Sequence, residues 1–330
     1  RDMMQAIGNL VRDPGFAAYY ASRDYAHEIL MPGRSSTPSR PVRLSVHLNP
    51  YGQGRKLLIA RDVTALEQAE AMRRDFVANV SHEIRTPLTV LTGFIETLQT
   101  LALTGEERSR YLGLMAQQAA RMQTVVRDLL TLSRLEGSPL PGMSEWIAVD
   151  SLLSQCEQEA RALSMLVVGQ NAAPQQLHFG VSEPGEDMGE IAGTHHEILS
   201  AMSNLVSNAI RYTPAGGTVD VRWQWLPDGR AEFSVQDSGP GIAPEHLPRL
   251  TERFYRVDRS RSRETGGTGL GLAIVKHVTQ RHGAVLRIDS TLGVGSRFAI
   301  TFPANRLRDP AGAIAVGVAA TLPVKPALVA

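Results

Sequence analysis

The sequence is short of cysteine, of long apolar runs and of net charge, and each shortage excludes something. One cysteine, Cys156, stands among 330 residues, so no disulfide can close within the chain. It lies in an apolar-periodic stretch with Ile147, Leu152, Leu153, Ala160 and Leu163. It therefore reads as a buried, inert thiol in a reducing compartment rather than a nucleophile or ligand. No run of about 18 apolar residues occurs, so no helix that spans a bilayer is expected. Thirty-four basic residues face 33 acidic ones, a formal charge of +1. That balance gives no field to draw the chain to nucleic acid or an anionic membrane, and direct nucleic-acid binding is not expected. No internal repeat is visible. The chain opens at Arg1 without a signal-like segment and reads as a piece of a longer protein.

What is present divides into pieces. Residues 1–62 end in two alternating segments, Val42 to Leu48 and Leu57 to Ala60. Asn49-Pro50-Tyr51-Gly52 is expected to turn between them, giving antiparallel strands. Residues 63–75 begin at a helix cap, Asp62-Val63-Thr64, and continue as a polar linker helix. Over 76–138, Val77, Ile84, Leu91 and Leu98 recur every seven residues, with Val80, Leu88 and Ile95 between them. After Thr104-Gly105-Glu106 a second stripe follows: Leu112, Met115, Ala119, Met122, Val126, Leu129 and Leu132. Two stripes with a short connection predict an antiparallel helical hairpin. One hairpin cannot bury both seams, so a homodimer forming a four-helix bundle is expected. Residues 139–304 mix helices and strands, with a hinge expected at Gly137–Gly142. Residues 305–330, poor in large apolar side chains, are expected to be a disordered tail.

His82 lies two residues from Val80 and from Ile84. At about 100° per residue it points away from the seam. Glu83 adjoins it, Thr86 follows one turn later, and Pro87 sits inside the helix at a cost of about 3 kcal/mol. Neutral imidazole is a nucleophile near neutral pH, and a neighbouring carboxylate can take its proton or hold its tautomer. A hydroxyl one turn away can place a water for hydrolysis. Phe76-Val77-Ala78-Asn79-Val80-Ser81-His82-Glu83-Ile84-Arg85-Thr86-Pro87-Leu88-Thr89 resembles the phosphoacceptor motif of sensor histidine kinases. The resemblance implies His82 as phosphoacceptor, Glu83 as assisting base and Thr86 as the residue that positions water in a phosphatase activity.

Three clusters farther on carry a second chemistry. In Asn204-Leu205-Val206-Ser207-Asn208-Ala209-Ile210-Arg211-Tyr212, two amides four apart share a helical face. An amide oxygen of Asn208 suits Mg²⁺ and Arg211 suits phosphate, although such a pair also fits a plain polar surface. Asp237-Ser238-Gly239-Pro240-Gly241-Ile242 follows a strand. Its carboxylate can accept the exocyclic amine of adenine, and a simple Gly-Pro turn is the alternative. Gly267-Thr268-Gly269-Leu270-Gly271-Leu272 enters a helix, where free N–H groups favour phosphate, without a Walker lysine. Paired His195-His196 cannot share a helical face, so no metal is expected there. His246, His277 and His282 read as surface or satisfied core.

In this order the clusters resemble the ATP-binding α/β sandwich shared by histidine kinases, type II topoisomerases, Hsp90-type chaperones and MutL-type repair proteins. Arg253-Phe254-Tyr255-Arg256 resembles the kinases' lid, with Arg253 and Arg256 implied at the phosphates of bound ATP. The ATP-hydrolysing relatives carry a glutamate base where Asn204 stands, which favours a kinase over the alternative, a chaperone- or repair-like ATPase. In detail the chain looks like the phosphate-regulon branch of the sensor kinases, through Leu48-Asn49-Pro50-Tyr51, Ala60-Arg61-Asp62-Val63-Thr64 and Arg249 to Arg256. Arg211 and Thr251 depart from the usual Lys and Phe. That likeness implies the end of a PAS-like sensor domain over 1–62. It also implies a separate PhoB-like response regulator with a receiver domain as partner, and a place on the cytoplasmic face of the bacterial inner membrane.

Overall fold

The computed structural model describes residues 11–37, 40–52, 55–168, 173–181, 188–258 and 267–308. The chain divides into two units, Arg1–His82 and Glu83–Ala330.

In the first unit, helix α1 (Pro14–Ser22) starts on Asp13, whose carboxylate accepts the Phe16 N–H at 3.0 Å, with Pro14 pre-set for the first turn. It covers one face of an antiparallel sheet ordered β1 (Ile29–Pro32), β2 (Arg43–Tyr51), β3 (Arg55–Asp62). Phe16, Tyr19, Met31, Val46 and Leu48 form the core. The two strands read from the sequence are β2 and β3, but the turn lies later than expected. Asn49, Pro50 and Tyr51 remain paired, Pro50 against Lys56 and Tyr51 against Arg55. β1 covers β2 only from Arg43 to Val46. At Pro50 the strand is therefore an edge on that side, where a missing N–H is tolerated.

Helix α2 runs without interruption from Thr64 to Thr100 and carries Pro87 inside it, so linker and first hairpin helix are one element. Helix α3 (Gly105–Gly137) starts on a capping box in which Thr104 and Glu107 satisfy each other's backbone N–H. Phe94 meets Tyr111 with ring centroids 5.5 Å apart, as an antiparallel pair requires. The stripes of the hairpin stay open to solvent. Leu88, Ile95, Leu112, Val126 and Leu130 are exposed. The buried residues of α3 are Val125, Leu132 and Leu135, of which only Leu132 belongs to the stripe. Val126 stays exposed, as a position awaiting the second hairpin of a four-helix bundle would.

That domain pairs a five-stranded sheet with three helices. The sheet order is β5 (Gln176–Val181), β7 (Thr218–Trp225), β8 (Ala231–Asp237), β10 (Gly295–Phe302), β9 (Val285–Thr291). β5 and β7 run parallel and the other neighbours antiparallel. Helices α4 (Val149–Val168), α5 (His195–Tyr212) and α6 (Gly271–Arg281) lie side by side, α5 in the middle. α5 buries Ile198, Ala201, Met202, Leu205, Val206, Ala209 and Ile210, a stripe at helical spacing. Opposite, Trp223, Phe233, Phe298 and Phe302 fill the core of the sheet. A smaller sheet, β11 (Leu307–Arg308), β6 (Glu190–Ala192), β4 (Trp146–Ala148), closes the end. Residues 305–308, expected to lie in the tail, are therefore part of the fold. Leu307 is fully buried opposite Ile191, and this apolar anchor keeps 305–308 in the fold. The expected disorder of 309–330 lies outside the described residues.

Among the described residues no helix is long and apolar enough to cross a membrane, and no cluster of His, Cys, Asp or Glu could hold a metal ion. Cys156 is buried, and desolvation pushes its thiol up to about 12, the inert state expected of it.

Candidate functional site

His82 is exposed on α2. Its neighbour Glu83 is tied into the α/β domain. One oxygen, Oε2, accepts from the guanidiniums of Arg121 on α3 and Arg256 of the lid, each at 3.1 Å. Thr86 is exposed one turn on. Pro87 is buried within the helix and offers no N–H to the carbonyl one turn earlier.

The second group of residues is assembled by the ends of α5 and β8 and by the entry to α6. Asn204, Asn208 and Arg211 fall half-buried along one side of α5. The Asn204 amide donates to Ser200 O at 2.8 Å. A Cβ at Gly271 would lie 2.5 Å from Asn204 Oδ1, so a larger residue there would push the Asn204 amide aside. Arg211 and Tyr212 share a cavity of about 380 Å³ with Ser238, Gly239 and Pro240, which brings the first two clusters to one place.

Asp237 ends β8, 8% exposed, and accepts the Gly239 N–H at 2.9 Å and the Ser296 N–H at 3.3 Å. Burial raises its carboxyl above the usual range, and those two amides pull it part of the way back. The surrounding backbone is packed to glycine tolerance. A Cβ at Gly241, φ +68°, would lie 2.1 Å from Thr291 O, and one at Gly295 would lie 1.9 Å from Asp237 O. Ile242 N–H donates to Ser290 Oγ at 2.8 Å. The glycine turn leading into β10 thus braces the acid.

In the third cluster Thr268 and Leu270 are buried, and Gly267, Gly269, Gly271 and Leu272 half-buried. Thr268 Oγ1 accepts the Leu270 N–H at 3.2 Å. Gly269, φ +73°, accepts the Phe254 N–H at 2.8 Å, and Phe254 itself sits at φ +62°. That is an uncommon conformation for a bulky residue, and it joins the lid to the glycine loop. Gly266 and the lid residues 259–265 lie outside the described residues.

Several contributors carried no local signal in the sequence. Asp128 of α3 accepts from Thr268 Oγ1 at 2.6 Å. Burial raises its carboxyl, opposed by the Thr268 hydroxyl and by Arg127 and Arg211. Glu136 pairs with Arg253. The segment expected to act as a hinge is contacted by two arginines. Arg281 donates to Leu135 O, Ser138 O and Pro139 O and to both oxygens of Glu197. Arg306 donates to Pro141 O, Gly142 O and Ala192 O. Partners lying 84 to 165 positions apart leave no pattern in a local window.

Two family models match. His Kinase A (phospho-acceptor) domain covers residues 72–138, and Histidine kinase-, DNA gyrase B-, and HSP90-like ATPase covers 193–306. The phosphate regulon sensor protein PhoR of Pseudomonas aeruginosa is 46% identical over 92% of this chain and 65% of its own length. The sensor-like histidine kinase SenX3 of Mycolicibacterium smegmatis is 35% identical over 84% of this chain and 68% of its own. A crystal structure of histidine kinase ThkA in complex with response regulator protein TrrA shares the fold. Its TM-score is 0.53 at 18% identity, over 90% of this chain and 82% of that one. The chain spans 65% of the length of the PhoR relative. With both family models in chain order and a relative 35% identical over 68% of its own length, the chain belongs to the sensor histidine kinases of two-component systems.

Proposed function

We propose that this chain autophosphorylates His82 from ATP·Mg²⁺ and passes the phosphoryl group to a separate response regulator. The observation that carries the reading is Asp237, an acid buried at a strand end among glycines that no side chain could replace. It is suited to accept the amine of adenine. Asn208 is the residue for Mg²⁺, and Asn204, Arg211, Tyr212, Gly239, Gly241 and Ile242 line the nucleotide. Arg253, Arg256 and the run Gly267-Thr268-Gly269-Leu270-Gly271-Leu272 take the phosphates. Mg²⁺ supplies charge neutralisation between them. Asn204 stands where a hydrolytic site needs a base and holds no proton-accepting group, so the γ-phosphate stays intact for the imidazole. Glu83 takes the imidazole proton, and Thr86 places water for the reverse, phosphatase task. Catalysis is positioning and electrostatics.

We assign 1–62 to the end of a PAS-like sensor domain, 63–75 to a signalling helix, 76–138 to a dimerising phosphotransfer hairpin and 139–308 to the ATP-binding domain. The likeness to PhoR supports phosphate-starvation signalling, a PhoB-like partner and a membrane anchor on the bacterial inner membrane. Incubation with γ-labelled ATP tests the reading. An acid-labile, alkali-stable label that disappears in His82→Gln is expected. Release of free phosphate with no labelled protein overturns it.

A further inference from the structure

The three polar side chains assigned to phosphates in the lid and glycine loop each meet a carboxylate of the helical hairpin. Thr268 Oγ1 bonds Asp128 at 2.6 Å, Arg256 bonds Glu83 at 3.1 Å, and Arg253 bonds Glu136. Carboxylate and phosphate oxygens present the same acceptor geometry to a guanidinium. Three such pairings from two helices of one hairpin, onto residues spread from 253 to 268, form one surface rather than scattered ion pairs.

The Arg256 side chain is only 7% exposed, and its Nε is buried without a hydrogen-bond partner. A buried N–H left open is costly, and it marks a guanidinium only partly satisfied by a single carboxylate oxygen. An anion with more oxygens would complete it.

We propose that Asp128, Glu83 and Glu136 stand in for nucleotide phosphates, so that docking of the hairpin on the ATP-binding domain and binding of ATP exclude each other. The inference rests on the assignment of Arg253, Arg256 and Thr268 to the phosphates. It adds that the hairpin itself is the competing ligand. Because Glu83 Oε2 is engaged by two guanidiniums, the docked state also withholds the carboxylate that assists His82. Nucleotide entry then frees the lid and the base together. Allosteric couplings of this kind amount to about 5-fold or more in affinity.

The test is titration of the whole chain with Mg²⁺ and a non-hydrolysable ATP analogue by calorimetry, comparing Asp128→Ala, Glu136→Ala and the double variant with the parent. Removal of the competing carboxylates should tighten binding about 5-fold or more, and added salt should narrow the gap by screening the pairs in the parent. Variants that melt like the parent yet bind equally or more weakly overturn the proposal. Should an alanine variant fail to fold, Asp128→Asn and Glu136→Gln decide by the same criterion, since they keep shape and remove charge. If the parent and every variant bind no nucleotide, the phosphate assignment itself falls.

Discussion

Burial of Asp237, proposed above to accept the amine of adenine, comes at the expense of stability. Its folded carboxyl is raised above the usual range by desolvation. Its contribution to stability is therefore full below the ordinary carboxylate value of about 3.9 and is lost as pH rises through the raised value. Asp237→Asn should raise the melting temperature of the nucleotide-free chain at neutral pH and abolish the further rise on adding ATP. A variant that melts lower, or still responds to ATP, would contradict this. His282 has the opposite sign. It is fully buried, Nδ1–H donates to Val278 O at 2.9 Å, and Nε2 accepts the Thr194 N–H at 3.4 Å. Burial lowers its pKa, so the stability it confers is intact above about 6.5 and is lost as pH falls through the depressed value. Melting curves from pH 8 to 5 should show that loss, and His282→Gln should flatten the slope.

At the scale of elements, the ends of helices are where side chains decide most. Thr104→Ala removes half of the capping box at the start of α3 and should cost about 1 kcal/mol in urea unfolding. Glu197, 5% exposed, neutralises Arg281 from α5. Glu197→Gln leaves a buried guanidinium short of its counter-charge and should cost about 3–5 kcal/mol. These elements differ in how much of them the sequence revealed. The hairpin, the two strands of the first unit and the glycine loops were legible because their periodicity or turn chemistry is local. Burial of Val125 and Leu135 was not, because a stripe in one helix does not say which neighbour covers its other face. Pro50 was read as a turn from its local chemistry, and it stays in β2 because β1 stops short of it, a fact set by a strand some twenty positions upstream.

For the molecule as a whole, the open apolar positions of the hairpin require a partner. Leu88 is 52% exposed, Leu112 52% and Leu130 55%, too much apolar surface in one stripe for an isolated helix pair. Sedimentation should find a dimer that Leu88→Glu converts to monomer. The candidate site residues were singled out where motif and chemistry coincide in the sequence, at His82, Asn208, Asp237 and Gly267 to Gly271. The carboxylates that oppose them were not, because Asp128 acquires its role only when a loop 140 positions away folds against it.

Arg306 lies two residues before the last described position, yet its guanidinium grips Pro141 O and Gly142 O at the exit from the hairpin. The connection between signalling helices and catalytic domain is thus fastened by the far end of the catalytic fold. Trimming the protein at Pro303 would remove one of the two arginines on that joint and leave Arg281 on Leu135 O, Ser138 O and Pro139 O. Such a shortened protein should hold its two halves less firmly, and any kinetic study built on it would describe a loosened machine.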